Sequence, residues 1–268
     1  MRKMSPEWLD ALAADLDEFP EMIERNAALR EEIDLAPERL LVASLPWSGG
    51  EWVARVLIHA LEAQRLHLCA GYGHHEQALS LPRMVRSIGR HGVANHHLRA
   101  NQSNLNLIRI FHMKTIILTR SLYDIVRCML ADEERPSAAE SLVHLPSFWR
   151  DLRSSERTEL LIDQVVPWCM QFHSSWQVAF TNDTVPAVWA TWEDLTENPE
   201  LSFAELLRCL GHGDAIVHLP AALATHPVPE AAPKKRLQKI HSERIRSIAE
   251  HYRNQDLYLL GLEDPNAA

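Results

Sequence analysis

The stretch from Leu40 to Leu57, LLVASLPWSGGEWVARVL, constrains the fold more than any other part of the chain. The near-continuous apolar run Leu40–Leu45 predicts a short strand covered on both faces. Pro46-Trp47-Ser48-Gly49-Gly50 predicts a tight turn, and Trp52 to about Gln64 an amphipathic helix. A strand feeding a glycine turn at a helix N-terminus is a place to hold phosphate. The first helical amides lack intrahelical partners, and the helix dipole favours an anion there. The turn is not a Walker loop, because the G-x-x-x-x-G-K-[ST] spacing is absent.

Strands and helices alternate along the rest of the chain. Residues 6–33 read as an N-terminal helical pack, interrupted near Pro20, to which no chemistry is assigned. Leu66–Ala70 reads as a short strand and Gly71–His75 as a loop. Met113–Thr119 is the strongest β signal; Arg120 follows at its carboxyl end, and a helix is expected from Asp124 to about Leu130. Residues 132–182 read as mostly helical. Val165, Trp168, Phe172, Trp176 and Phe180 recur every three or four positions, which places them on one buried face. Pro186–Trp192 predicts a strand, and Pro199–Leu210 a helix ended by Gly211. A Pro/Ala-rich loop over 220–233 leads to Lys234-Lys235-Arg236 and a final helix from about Ser242 to Tyr252. The expected fold is a single α/β domain over residues 1–268, with 1–39 a helical extension packed on it. It is three-layered, with a central, mostly parallel sheet. In open sheets of this kind ligands sit beyond the carboxyl ends of the strands, where Pro46–Gly50 and Arg120 both fall.

Composition narrows the function. The net charge of −9 argues against bulk nucleic-acid binding but leaves room for a local basic pocket for one nucleotide. The four cysteines, Cys69, Cys128, Cys169 and Cys209, form no C-x-x-C pair and read as reduced thiols of a cytoplasmic protein. No signal-peptide pattern is visible, and no apolar run approaches the roughly 18–20 residues that span a bilayer. Residues 74–113 are rich in His and Arg. However, His74-His75 and His96-His97 are adjacent pairs and no H-E-x-x-H element occurs, so no metal is expected.

Four segments, in order, resemble the sulfotransferases that use 3′-phosphoadenosine 5′-phosphosulfate (PAPS). Pro46-Trp47-Ser48-Gly49-Gly50-Glu51-Trp52 resembles their 5′-phosphosulfate loop. Ile116–Cys128, an apolar strand followed by Arg120-Ser121-Leu122-Tyr123-Asp124-Ile125, resembles their 3′-phosphate segment. Trp192-Glu193-Asp194-Leu195 with Asn198-Pro199 is similar to their Y-E-D-L-x-x-[ND]-P, and Lys234-Lys235-Arg236 stands where the family often places 3′-phosphate ligands. The resemblance covers roughly residues 40–262 and implies a P-loop NTPase-like sulfotransferase fold. It also implies PAPS as sulfuryl donor and a hydroxyl acceptor, by analogy a glycan or glycolipid precursor. No metal is implied, and a homodimer is compatible with it. Arg120, Cys128, Lys235 and Arg236 would lie at the 3′-phosphate. Trp52 and Trp192 would contact adenine or else be plain core. Arg120 has a competing reading as a salt bridge to Asp124. His97, in Asn95-His96-His97-Leu98, aligns with the catalytic base, with His96 as its rival; a histidine titrates near neutrality and can take a hydroxyl proton.

The loop also departs from the family. Trp47 replaces the usual Lys or Arg, and losing one such transition-state donor costs about 2.7–4 kcal/mol. Glu51 replaces a small residue, and a carboxylate about 4 Å from a phosphosulfate costs on the order of 1–4 kcal/mol. Ser48 and Glu51 also have the spacing of a capping box, which would satisfy the loop's own amides. Cys128 stands where the family has Ser, with Arg127 beside it as a substitute. Two readings follow: an enzyme in which Arg55, Arg99 or Lys114 supplies the missing cation, or a sulfotransferase-fold binding or scaffold protein without catalysis.

Overall fold

The computed structural model describes residues 19–69, 77–132, 148–230, 237–252 and 256–262. Among the described residues five parallel strands form one sheet in the order β2-β3-β1-β4-β5. They are β1 (Arg39–Ser44), β2 (Gln64–Leu66), β3 (Gly92–His96), β4 (Lys114–Thr119) and β5 (Ala187–Thr191). Every residue of β1 is buried, as its apolar run requires of a central strand. Its register sets Ala43 opposite His96 on one side and Ser44 opposite Leu118 on the other. Thr119 pairs with Thr191 across β4 and β5. The residues that leave β1, β3, β4 and β5 therefore emerge side by side along one edge.

Helices cover both faces. On one, α2 (Gly50–Ala60), α7 (Trp192–Glu197), α8 (Pro199–Cys209) and α9 (Leu219–Thr225) enclose a core that includes Trp52, Val56, Leu118, Trp192 and Phe203. On the other, α4 (Gln102–Ile110), α5 (Leu122–Asp132), α6 (Ser154–Thr181) and α10 (Lys239–Glu250) enclose a larger core that includes Leu41, Ile117, Phe172 and Trp176. The short α3 (Leu81–Arg86) precedes β3, and α1 (Phe19–Asp34) ends with Ile33 in the larger core. Pro20 lies in the first turn of α1. Gly211 ends the α8 turn at φ +80°, the left-handed conformation expected of a C′ glycine.

The three-layer parallel α/β fold is the expected one, with local differences. The strand expected over Leu66–Ala70 is Gln64–Leu66. A whole strand, Gly92–His96, lies in the His-rich stretch where none was expected. It carries only one β-branched residue, Val93, and it alternates no better than a loop, so its burial comes from its neighbours β1 and β2. On α6, Val165, Phe172 and Trp176 are buried, whereas Phe180 is 45% exposed near the helix end. No disulfide joins the four cysteines. Among the described residues no helix is long and apolar enough to cross a membrane, and no group of His, Cys, Asp and Glu could hold a metal.

Two buried histidines make the fold acid-sensitive. His173 on α6 is wholly buried edge-on to Trp189, and neither ring nitrogen has a hydrogen-bond partner among the described residues. Burial pushes its pKa down to about 4, against a smaller opposing pull from Asp256. Burial pushes His96 down to about 3. A folded pKa below the unfolded value means stability that is present above about pH 6.5 and lost as pH falls towards the folded pKa. For His173 the loss is on the order of 3 kcal/mol. Urea unfolding across pH 7 to 4 should therefore show a shallower decline for His173→Phe than for the native chain. An unchanged slope would remove His173 from this account.

Candidate active site

The site is built where the strands end. Ser44 leaves β1 and the chain turns at once through Pro46, Trp47, Ser48 and Gly49 into α2. Two residues of this turn are left-handed: Trp47 at φ +53° and Gly49 at φ +82°. Glycine is required at 49 and 50 by contact as well. A Cβ on Gly49 would lie 2.1 Å from the Trp192 ring, and one on Gly50 would lie 2.4 Å from both Ser44 Oγ and Asn95 Oδ1. The turn is thus clamped between β3 on one side and the start of α7 on the other.

The capping box expected from Ser48 and Glu51 does not form. The Ser48 hydroxyl donates to the Leu45 carbonyl at 2.5 Å, and Gly49 occupies the N-cap without a side-chain bond. Glu51 turns outward instead. Its carboxylate accepts from Arg55 Nε at 2.8 Å and from both Nη atoms of Arg65 at 2.8 Å. Among the described residues no hydrogen bond reaches the amides of Gly49, Gly50, Glu51 or Trp52. The amides stay available to an anion, and the carboxylate that threatened to repel one is neutralised by two guanidinium groups.

Arg120 follows β4 at the expected place and is 4% exposed. Its Nη1–H donates to the Trp47 carbonyl at 2.7 Å, its Cζ lies 4.6 Å from the centre of the Trp192 ring, and Asp124 is a looser partner at 3.8 Å. Among the described residues its buried Nε–H has no partner. The salt bridge to Asp124 is therefore not its main engagement. Arg127 pairs with Asp124, so it does not reach over to replace the missing serine at Cys128, which sits half-buried on α5. Trp52 and Trp192 are each 5% exposed and meet edge to face at 5.5 Å. Trp52 Nε1–H donates to the His226 carbonyl at 2.9 Å. Both indoles are packed residues here, one face of Trp192 taken by Arg120 and its edge by Gly49.

The two histidines at the carboxyl end of β3, His96 its last residue and His97 the next, differ sharply. His96 is buried and fully used: Nε2 accepts from the Leu68 amide at 3.1 Å and Nδ1 faces Gln77 Oε1 at 3.3 Å. His97 is only half-buried. Its Nδ1 lies 2.8 Å from the Ser44 carbonyl, which can only accept, so Nδ1 carries the proton. Nε2 then holds the free lone pair, and no described residue bonds to it. Burial lowers the His97 pKa, with the Ser44 carbonyl pulling the other way, so the ring is neutral at pH 7. Gln77, Ser44 and Asn95 orient this pair: Gln77 Oε1 accepts from the His97 amide at 2.9 Å, and the Ser44 hydroxyl donates to Asn95 Oδ1 at 2.8 Å. Sequence reasoning missed these three; a serine closing an otherwise apolar strand was the available signal for Ser44, and Gln77 offered none.

Of the three cations proposed to replace the loop Lys or Arg, Lys114 is excluded by position. It starts β4, at the opposite end of the sheet, held by Glu38 and the Leu210 carbonyl at 2.5 Å each. Arg55 is spent on Glu51. Arg99, two residues beyond His97, donates to Gln171 on α6. Trp47 itself packs its ring against the larger core and offers its carbonyl to Arg120. Lys235 and Arg236 lie outside the described residues.

The fold has a known counterpart. The chain superposes on the structure of mouse sulfotransferase SULT7A1 complexed with PAP with a TM-score of 0.55 and 13% sequence identity, over 85% of this chain and 91% of that one. No protein-family model and no curated sequence matches. The likeness establishes a sulfotransferase fold. The glycine clamp gives a direct check. Gly50→Ala should cost about 1–3 kcal/mol in urea unfolding through overpacking against Ser44 and Asn95. Gly213→Ala, where a Cβ meets nothing within 4 Å, should stay within about 0.5 kcal/mol of the native value. Equal costs would mean the turn is not clamped.

Proposed function

We propose that the protein transfers a sulfuryl group from PAPS to a hydroxyl acceptor, a glycan or glycolipid precursor by family analogy. The observation that carries this reading is the row formed by the unpartnered α2 amides, the His97 Nε2 lone pair and Arg120 along one sheet edge of a sulfotransferase fold. The residues fit the donor. The amides of Gly49–Trp52 would take the 5′-phosphosulfate, and the orphaned Arg120 Nε–H, with Lys235 and Arg236, the 3′-phosphate. In the transfer the acceptor oxygen bonds to sulfur while the bond from sulfur to the bridging phosphate oxygen breaks, releasing the nucleotide bisphosphate.

His97 is the base in this scheme. Its Nδ1–H is pinned on the Ser44 carbonyl, which directs Nε2 outward to take the acceptor's proton as the oxygen attacks. Trp47 brings no cation to the leaving oxygen, so the loop amides and the helix dipole carry that charge. This predicts a slower enzyme than a lysine-bearing loop would give, about 2.7–4 kcal/mol poorer in the transition state. The alternative, a binding or scaffold protein, draws on the same Trp47. The outward turn of Glu51 favours catalysis over it, because the loop keeps both its amides and its charge balance.

Sulfate transfer from labelled PAPS to a panel of hydroxylated sugars and phenols tests the reading. His97→Ala should lower kcat about 10²–10⁴-fold while PAP still binds. Because burial lowers the His97 pKa, the native rate should hold level down to about pH 6.5 and fall only below it. Full activity in His97→Ala, or no transfer by the folded native chain to any acceptor, would overturn the assignment.

A further inference from the structure

A carboxylate stands in the first turn of α2, beside the amides assigned to the donor. With Gly49 as N-cap, Gly50 and Glu51 are the first two helical residues, which leaves Glu51 one place short of the position a capping box needs. A carboxylate there has two outlets. It can fold back over the unpartnered amides of its own turn, where the helix dipole favours an anion, or it can turn away to a cation. The first outlet would make Glu51 a built-in competitor for the phosphosulfate, since both are anions seeking the same donors. The structure shows the second.

The two arginines that hold Glu51 are not equivalent. Arg55 lies on α2 itself, four residues on, and gives one bond, Nε–H to Oε1 at 2.8 Å. Its side chain is 59% exposed, and exposed pairs at this helical spacing hold weakly. Arg65 comes from a different element, β2, and its side chain is 30% exposed. Its Nη1–H donates to Oε2 and its Nη2–H to Oε1, both at 2.8 Å, so one guanidinium takes both carboxylate oxygens in a fork. β2 is in turn paired with Gly92, Val93 and Ala94 of β3, which ties the fork to the sheet. A single bond within the helix leaves the carboxylate free to swing; a fork anchored in the sheet sets its direction.

We propose that Arg65, which belongs to none of the four segments that resemble the family, is a positioning residue for donor binding. It acts through Glu51: by holding that carboxylate off the first turn of α2 it keeps the amides open and their field positive for the 5′-phosphosulfate. Arg55 assists and does not replace it. The proposal rests on the assignment of those amides to the donor in the sulfuryl-transfer reading. It adds to that reading the residue that makes a loop carrying Glu51 compatible with an anionic ligand.

A double-mutant cycle read by calorimetric titration with PAP tests this. Arg65→Ala should weaken PAP binding at least about fivefold, and Arg55→Ala by less. Glu51→Gln should bring the Arg65→Ala chain back to within about twofold of Glu51→Gln alone, because an arginine that acts through a carboxylate has nothing to do once the charge is gone. Arg65→Lys, which keeps the charge without the fork, should fall between Arg65→Ala and the native chain. The loss belongs to the 5′ end of the ligand, so adenosine 3′-monophosphate should bind the native and Arg65→Ala chains equally. Unchanged PAP affinity in Arg65→Ala would overturn the proposal. So would a loss that Glu51→Gln fails to relieve, or one that adenosine 3′-monophosphate shares, since either would mean that Arg65 only supports the fold. A folded native chain that binds no PAP would overturn this proposal and the functional reading together. The predicted cycle in a chain that transfers sulfate to nothing would sink the functional reading and spare this one.

Discussion

The guanidinium of Arg120 lies buried beneath the turn that follows β1, bonded to the Trp47 carbonyl at 2.7 Å and stacked 4.6 Å from Trp192. A charge buried to this degree is costly unless it is partnered, and here its partners are the parts of the site themselves. The bond ties the turn of β1 to the end of β4. The stacking ties β4 to the first residue after β5. The left-handed conformations of Trp47 and Gly49 become affordable because both ends of the turn are held. What results is a rigid N-terminus of α2 with four amides facing outward.

Parallel register does the remaining placement. Because Ala43 pairs with His96, the next residues along, Ser44 and His97, meet, and their hydrogen bond settles the tautomer of the ring. Because Thr119 pairs with Thr191, Arg120 meets Trp192. A single one-residue slip of β3 would exchange His96 for His97 and bury the wrong ring. The two histidines are adjacent in sequence and opposite in function: one is a satisfied core group, the other presents a lone pair.

Much of this was legible in the chain. The apolar runs at Leu40–Leu45 and Met113–Thr119 announce central strands, and the glycines announce the turn, since each signal is local. Arg120 was singled out because it follows a clear strand signal, and His97 by the resemblance of Asn95-His96-His97-Leu98. The strand at Gly92–His96 was not legible, because its apolar content is slight and its order comes from β1 and β2. The Ser48–Glu51 capping box was a sound local inference that long-range charge defeated: Arg65, fourteen residues on, competes for the carboxylate that the cap needs. Lys114 shows the same limit, since sequence does not say which end of the sheet a residue occupies. The described residues also refine the tryptophans, which read as adenine contacts by resemblance and are packed edge to face in the fold.

In the turn after β1 a packed indole stands at position 47, and the carboxylate at position 51 is drawn off by arginines. Whether the turn holds phosphate is decided by calorimetric titration of the folded chain with PAP. The account predicts saturable one-to-one binding that weakens with salt, with adenosine 5′-monophosphate, which lacks the 3′-phosphate, binding more weakly. Absence of binding by the folded chain, or equal binding of the two nucleotides, would contradict it.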